Sequence, residues 1–243
     1  MDTILEPLKV QSLKEACIQK LESLILSGEL KIGEKLPSER KLADSLNISR
    51  PVLHEALVDL ESKGLVSILP RRGVFVSDYR REGSCAIINS LLNYTSGDLD
   101  SKLIQSLIEM RLLIEAENAR LAALHRTPQI LSDLSTLLEA EQTSDRSDID
   151  RLTELDFSFH QLIAIASGNR MYPLIINSFK QVYTKLTGAF FKNFHNQPAV
   201  EEVFDYHKAL YTAIKDKDSQ KAQTTMIDML EHGARHLGYM DNS

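Results

Sequence analysis

The sequence predicts a mainly helical protein in two parts, a small N-terminal unit ending in a β-hairpin and an antiparallel all-α bundle of about seven helices. Three observations carry that expectation. Between Leu36 and Val76, two short amphipathic segments joined by a tight turn lead into the apolar, β-branched runs LVSIL and GVFV on either side of PRRG. The polar stretch SDYRREGS (77–84) then shows no periodicity. From there onward apolar residues recur at helical spacing, with no strand pattern or repeat. The parts are therefore expected to cover 1–78 and 79–243.

Composition bounds what the parts can be. At 243 residues, 43% hydrophobic and 26% charged, the chain has the make-up of two globular domains, and disorder is not expected. No apolar run approaches the roughly 18 residues of a membrane span, and MDTILEPLKV lacks the order of a signal peptide, so a cytoplasmic protein with no membrane partner is expected. Cys17 and Cys85 are too few and too far apart for a disulfide framework or a zinc ribbon, and Cys17 reads as core. Residues 1–82 carry thirteen basic and thirteen acidic side chains, so the whole net charge of -6 falls on the second part. Within 31–72 basic residues lead acidic ones by 8 to 6, which excludes binding of nucleic acid by bulk charge alone. Affinity must come from placement and from pairing two copies.

In chain order, Leu13, Cys17, Leu21, Leu24 and Ile25 fall on one face of a helix from Gln11 to Ser27, and Gly28 stops it. Pro37 suits the start of the second helix, and Glu39 suits its positive end. Leu42, Ala43 and Leu46 form its buried face. Asn47 turns the chain, and Ser49 caps a third helix from Arg50 to about Lys63, buried through Val52, Leu53, Ala56, Leu57 and Leu60 and ended by Gly64. Ser49, Arg50 and His54 are the exposed residues where that helix begins, and the hairpin tip carries Arg71 and Arg72. Each arginine alone reads as a solvated surface charge. In this order and spacing they read as a winged helix-turn-helix, whose third helix meets base edges and whose wing meets phosphates or a minor groove of double-stranded DNA.

At these residues a family becomes recognisable. The run G-x-L-x-x-G-x-x-LPSER-x-LA-x-x-L-x-ISR, followed by EAL, L-x-x-x-GLV and RRG-x-FV, resembles the DNA-binding domain of the GntR family of bacterial transcription regulators over Gly28–Val76. The resemblance implies DNA contacts from Arg40, Ser49 and Arg50, and from Gly73 with its neighbouring arginines. It also shows a departure, since His54 stands where the family usually has arginine. Arginine can grip guanine through two parallel N–H donors, whereas histidine makes a single contact, so either a different operator half-site or a less strict reading of that position is expected.

In the second part, helices are expected over about 85–95, 99–125, 128–142, 148–167, 170–194, 198–216 and 218–238, with breaks at Ser96-Gly97, Thr127-Pro128, Thr143-Ser144, Gly168-Asn169 and Gln197-Pro198. Asp156 and His160 stand one turn apart on one helix face. They are either a surface pair or two ligands of one borderline divalent cation such as zinc, nickel or manganese. His207 and His232 lie on later helices. Arg111 either pairs with Glu115 on the surface or turns inward to meet a carboxylate.

The patterns R-x-x-IE-x-x-x-ARLAA, D-x-x-FH-x-x-x-x-x-ASGN and H-x-x-L-x-x-AI-x-x-x-D resemble the FCD effector domain of the FadR-type GntR subfamily. The resemblance implies a metal held by Asp156, His160 and His207, with a small carboxylate effector bound at it and Arg111 and Asn169 in the pocket. Its fourth ligand position falls on Met229, with His232 three residues further on. Either three residues hold the ion together with water and effector, or the pocket binds its ligand by polar contacts without metal. The function implied is a homodimeric, ligand-responsive regulator, with repression relieved by an organic or sugar acid. The alternative is a metal-dependent hydrolase built on the Asp/His cluster, against which the chain lacks a general base beside the cluster, a nucleophile motif and a phosphate-binding loop.

Overall fold

The structure is a computed structural model that describes residues 12–94, 101–195 and 197–240. It falls into two compact units, Met1–Asp98 and Leu99–Ser243.

The first unit contains α1 (Leu13–Leu26), α2 (Glu39–Leu46), α3 (Arg50–Ser62), β1 (Val66–Leu69), β2 (Gly73–Val76), α4 (Tyr79–Glu82) and α5 (Ile87–Tyr94). Ser12 opens α1 in a reciprocal capping box with Glu15, which satisfies two orphan N–H groups. Ser38 caps α2 through Lys41 N, so Pro37 stands before the cap and not in the first turn as expected. Asn47 adopts the left-handed conformation (φ 52°) that ends α2, and Ser49 accepts from Val52 N to start α3. The wing pairs antiparallel from Val66↔Val76 to Leu69↔Gly73. Leu21, Leu53, Leu57, Leu60, Leu65 and Val74 make the core beneath it, and Cys17 is buried there.

Residues 77–84, expected as an open linker, instead turn back under α3. Ser84 N donates to Lys63 O, and a Cβ on Gly64 (φ +75°) would lie 2.2 Å from the Glu82 carbonyl oxygen, so the close approach requires glycine. Ile87 then joins the core, and Lys63 Nζ and Ser90 Oγ both donate to Glu22, at 2.6 and 2.7 Å. The unit thus runs about twenty residues past the boundary expected at 78. The break expected at Ser96-Gly97 lies outside the described residues.

The second unit contains α6 (Ser101–His125), α7 (Pro128–Thr143), α8 (Ile149–Ala166), α9 (Tyr172–Ser178), α10 (Lys180–Phe194), α11 (Pro198–Lys215) and α12 (Ser219–His236). Among the described residues these are seven helices, though not the expected seven. Segment 85–95 belongs to the first unit as α5, and segment 170–194 divides at Phe179 (φ -101°, ψ 3°). Ala119, Ala122 and Ala123 of α6 let α12 pack closely along it, with Phe159, Ile163, Leu210 and Met226 filling the adjoining core. Among the described residues no helix is long and apolar enough to cross a membrane.

Candidate functional site

The first unit presents an exposed groove that the start of α2, the start of α3 and the wing tip build together. Lys35, Arg50, Arg71, Arg72 and Gly73 all line it, with Glu39 as the acidic member. Arg71 occupies the left-handed region (φ 62°) in the turn between strands, which turns the wing tip sharply. Gly73 (φ +105°) leaves space for Lys35, whose Cε a Cβ would meet at 2.9 Å. Lys35 was not singled out from sequence. It is brought here by its bridge to Phe75, and the Phe75 ring lies 5.8 Å from Lys35 Nζ and 6.0 Å from Arg72 Cζ. Ser49 and Arg40 are exposed on the neighbouring helix starts. His54, exposed on α3, has Nδ1 3.5 Å from Glu39 Oε1.

In the second unit a cavity of about 70 Å³ opens among α6, α8, α10, α11 and α12. Arg111, Asp156, His160 and Met229 stand on its walls. Asp156, His160 and His207 are buried, and one potential ligand atom from each lies within 4.8 Å of the others. The surface reading of the Asp156/His160 pair is therefore wrong.

Two further carboxylates orient this cluster. His160 Nδ1 bonds Glu115 Oε2, and His207 Nδ1 bonds Glu141 Oε1 at 2.8 Å. With Nδ1 facing a carboxylate, each neutral ring carries its proton there and leaves Nε2 as the lone-pair donor. His207 Nε2 is buried without a hydrogen-bond partner, 3.7 Å from Asp156 Oδ1. Asp156 Oδ2 accepts from Tyr183 Oη (2.9 Å) and Thr187 Oγ1 (3.4 Å). An orphaned imidazole nitrogen, a second oriented imidazole and a carboxylate oxygen converging on one point fit a borderline divalent ion.

The electrostatics follow from the same neighbours. Burial opposes the charge on His207, but Glu141, with Asp156 behind it, outweighs that and raises its pKa above the ordinary histidine value. Burial alone would raise Glu115, yet Arg111 and His160 hold it down to about 2. Arg111 reconciles both sequence readings. Its Nε donates to Glu115 Oε1 at 2.6 Å, its guanidinium stacks 4.1 Å over the Tyr183 ring, and it stands on the cavity wall. Burial, then Asp156, drives the Tyr183 pKa well above that of free tyrosine, so its hydroxyl stays a donor.

Two expected residues lie elsewhere. Asn169 is not on the cavity wall, because its Oδ1 accepts from Met171 N in the turn after Gly168. Of the two candidates for the fourth position, Met229 is on the wall and His232 is not. His232 Nε2 faces the Ala199 carbonyl at 3.2 Å and Nδ1 faces Glu202 at 3.5 Å, since three residues of helix carry it off the cavity face. Glu141 was missed in the sequence. Its signal is that it continues the buried stripe Leu134, Leu138 of α7, where a solvated carboxylate does not belong.

Comparison with known proteins agrees with both halves. Residues 13–76 match the family described as bacterial regulatory proteins, gntR family, and residues 106–232 match the FCD domain. The HTH-type transcriptional regulator Mce2R of Mycobacterium tuberculosis is 31% identical over 93% of this chain and 92% of its own. The Glc operon transcriptional activator of Escherichia coli is 27% identical over 92% and 88%. A solved chain titled "Lar controls the expression of the Listeria monocytogenes agr system and mediates virulence" shares the fold, with a TM-score of 0.63 at 19% identity over 96% of this chain and all of that one. These relatives are regulators of transcription and not enzymes, which removes the hydrolase alternative. The chain belongs to the GntR family of bacterial transcription regulators, as a DNA-binding, ligand-responsive member with an FCD domain.

Proposed function

We propose that this regulator binds its operator as a homodimer and is released from it by a small carboxylate bound in the cavity of the second unit. The observation that carries this reading is the meeting of Asp156, His160 and His207 in one buried cluster, with Arg111 beside Asp156 and His160 on the cavity wall. One divalent ion, zinc, nickel or manganese, held by those three side chains would supply positive charge and an open position for a carboxylate oxygen. Arg111 offers the same acid a guanidinium already fixed by Glu115 and Tyr183. Thioether sulfur is a poor ligand for such ions, so Met229 serves as wall and leaves that position to the acid.

On the DNA side, Arg40, Ser49 and Arg50 act from the helix starts, and Arg71, Arg72 and Gly73 from the wing, with Lys35 added by its place in the groove. His54 makes a single base contact. The basic groove is small, so two copies on a two-fold operator supply the affinity one lacks. The acid must bind the DNA-free and DNA-bound states differently, or nothing switches.

The test is a mobility shift on the intergenic region upstream of the protein's own gene, with and without a panel of carboxylates, beside metal analysis of the purified protein. Release by an acid supports the reading, and tighter binding would make the protein ligand-activated. Indifference to every acid, in protein with its metal content established, overturns it.

A further inference from the structure

Most of the cavity's lining is apolar. Its polar members are Arg111, Asp156, His160, Tyr183, Thr187 and Tyr239, and the hydroxyls of Tyr183 and Thr187 both donate to Asp156. Leu186, Phe190, Val203, Leu230, Ala234 and Leu237 supply hydrocarbon. A ligand hydroxyl or second carboxylate packed against those six side chains would give up its water with no donor or cation among them to replace it, whereas a methylene there is stabilised by leaving water.

Gly233 supplies the second, independent observation. It lies inside α12, where glycine is a poor helix former, and it stands on the cavity wall. It does not have a positive φ. Nothing in the packing of the described residues demands it either, because a Cβ built there meets none of their heavy atoms within 4 Å. At Gly188 of α10, by contrast, a Cβ would meet Thr153 Oγ1 at 3.4 Å. Among the described residues, Gly233 is thus explained neither by backbone strain nor by crowding, and none of their atoms fills the space before it.

We propose that the ligand of this cavity is a monocarboxylate with an unsubstituted hydrocarbon body, and that Gly233 determines specificity by leaving room for that body. The inference rests on the cavity being the effector site, and it narrows the class from organic and sugar acids to hydrocarbon acids. A volume of about 70 Å³ is roughly that of two water molecules in the liquid, so the enclosed part of the body is about two to three carbons and the gain per methylene should stop near butyrate, with hexanoate no tighter than butyrate.

The test is calorimetric titration of the full-length protein with acetate, butyrate and hexanoate, against gluconate and adipate of the same six-carbon length and the uncharged hexanamide. Affinity is expected to rise about fourfold per methylene until the space is full, with hexanoate tighter than gluconate and adipate by about tenfold or more. Gly233→Leu is expected to weaken hexanoate about tenfold or more and leave acetate within about twofold. Gly233→Ala, which meets no atom, is expected to melt higher than wild type without ligand, showing that the glycine is not there for folding. Gluconate or adipate binding tighter than hexanoate, or hexanoate unaffected in Gly233→Leu, overturns the inference while leaving a carboxylate effector in place. Hexanamide binding as tightly as hexanoate would instead overturn the carboxylate reading and keep the hydrocarbon body. Binding of none of these probes overturns both.

Discussion

Glu141 Oε1 lies 2.8 Å from His207 Nδ1, and both side chains are buried. The contact joins α7 to α11 and aims the free Nε2 of His207 toward Asp156. Replacing Glu141 by glutamine keeps the shape and removes the charge that fixes the tautomer. Affinity for zinc or manganese, read by competition with a chromophoric chelator, is expected to fall about ten- to a hundredfold. Unchanged affinity would mean that Glu141 does not orient the ligand.

Arg111 and Glu115 form an ion pair in which the glutamate is buried and the arginine partly so, 2% and 16% exposed at the side chain. Arg111→Ala leaves the Glu115 carboxylate in the interior without its cation, and is expected to destabilise the fold by about 3–5 kcal/mol. Chemical denaturation reads this directly. The double variant Arg111→Ala/Glu115→Ala should recover part of the loss, and a single variant as stable as wild type contradicts the pairing.

His232 carries a pH dependence. Burial is the main cause that lowers its pKa below 6.5, with His236 and Arg235 adding to it and the Ala199 carbonyl and Glu202 opposing. The half-buried Tyr206 ring packs against it. The unfolded chain therefore takes up this proton first. Above pH 6.5 both states are neutral at this site and stability is unaffected, while between 6.5 and the lower folded value stability falls as pH falls. His232→Gln should flatten the wild-type decline in melting temperature across that window, and an identical slope in the two proteins would exclude His232 as its source.

In the DNA-binding unit, Arg71→Ala and Arg72→Ala are each expected to weaken operator binding. Each should also reduce the slope of log affinity against log salt by about 0.9 for every phosphate that the arginine neutralises. His54→Arg is expected to change the preferred half-site more than the salt slope, which binding-site selection would reveal. Selection of the same half-site by both proteins would remove His54 from base reading.

The first unit was the more legible in sequence because its punctuation is local. Asn47 and Ser49 each act within a turn of their own position, so element limits could be read residue by residue. The return of residues 77–94 onto α1 and α3 was not legible, since it rests on Ile87 meeting a core assembled from distant residues and on Ser90 sharing Glu22 with Lys63. The break at Phe179 has neither glycine nor proline to announce it, and apolar periodicity runs straight through. In the site, Asp156 and His160 show themselves by spacing, and His207, visible on a later helix, is tied to them only through resemblance. Glu115 and Glu141 look like surface charges until the fold buries them. Asn169 looked like a pocket residue because its motif is a turn that ends the helix carrying Asp156 and His160.

Control of DNA binding by the buried Asp156/His160/His207 cluster is tested most directly by fluorescence anisotropy of a labelled operator, titrated with wild-type protein and His207→Gln, with and without hexanoate. Both proteins should bind the operator equally well alone, which also shows that the variant folds. The acid should weaken wild-type binding by about tenfold or more, as a coupling between sites of about 1–3 kcal/mol allows, and leave the variant unmoved. An equal response of both proteins to the acid would contradict a role for the cluster in the switch.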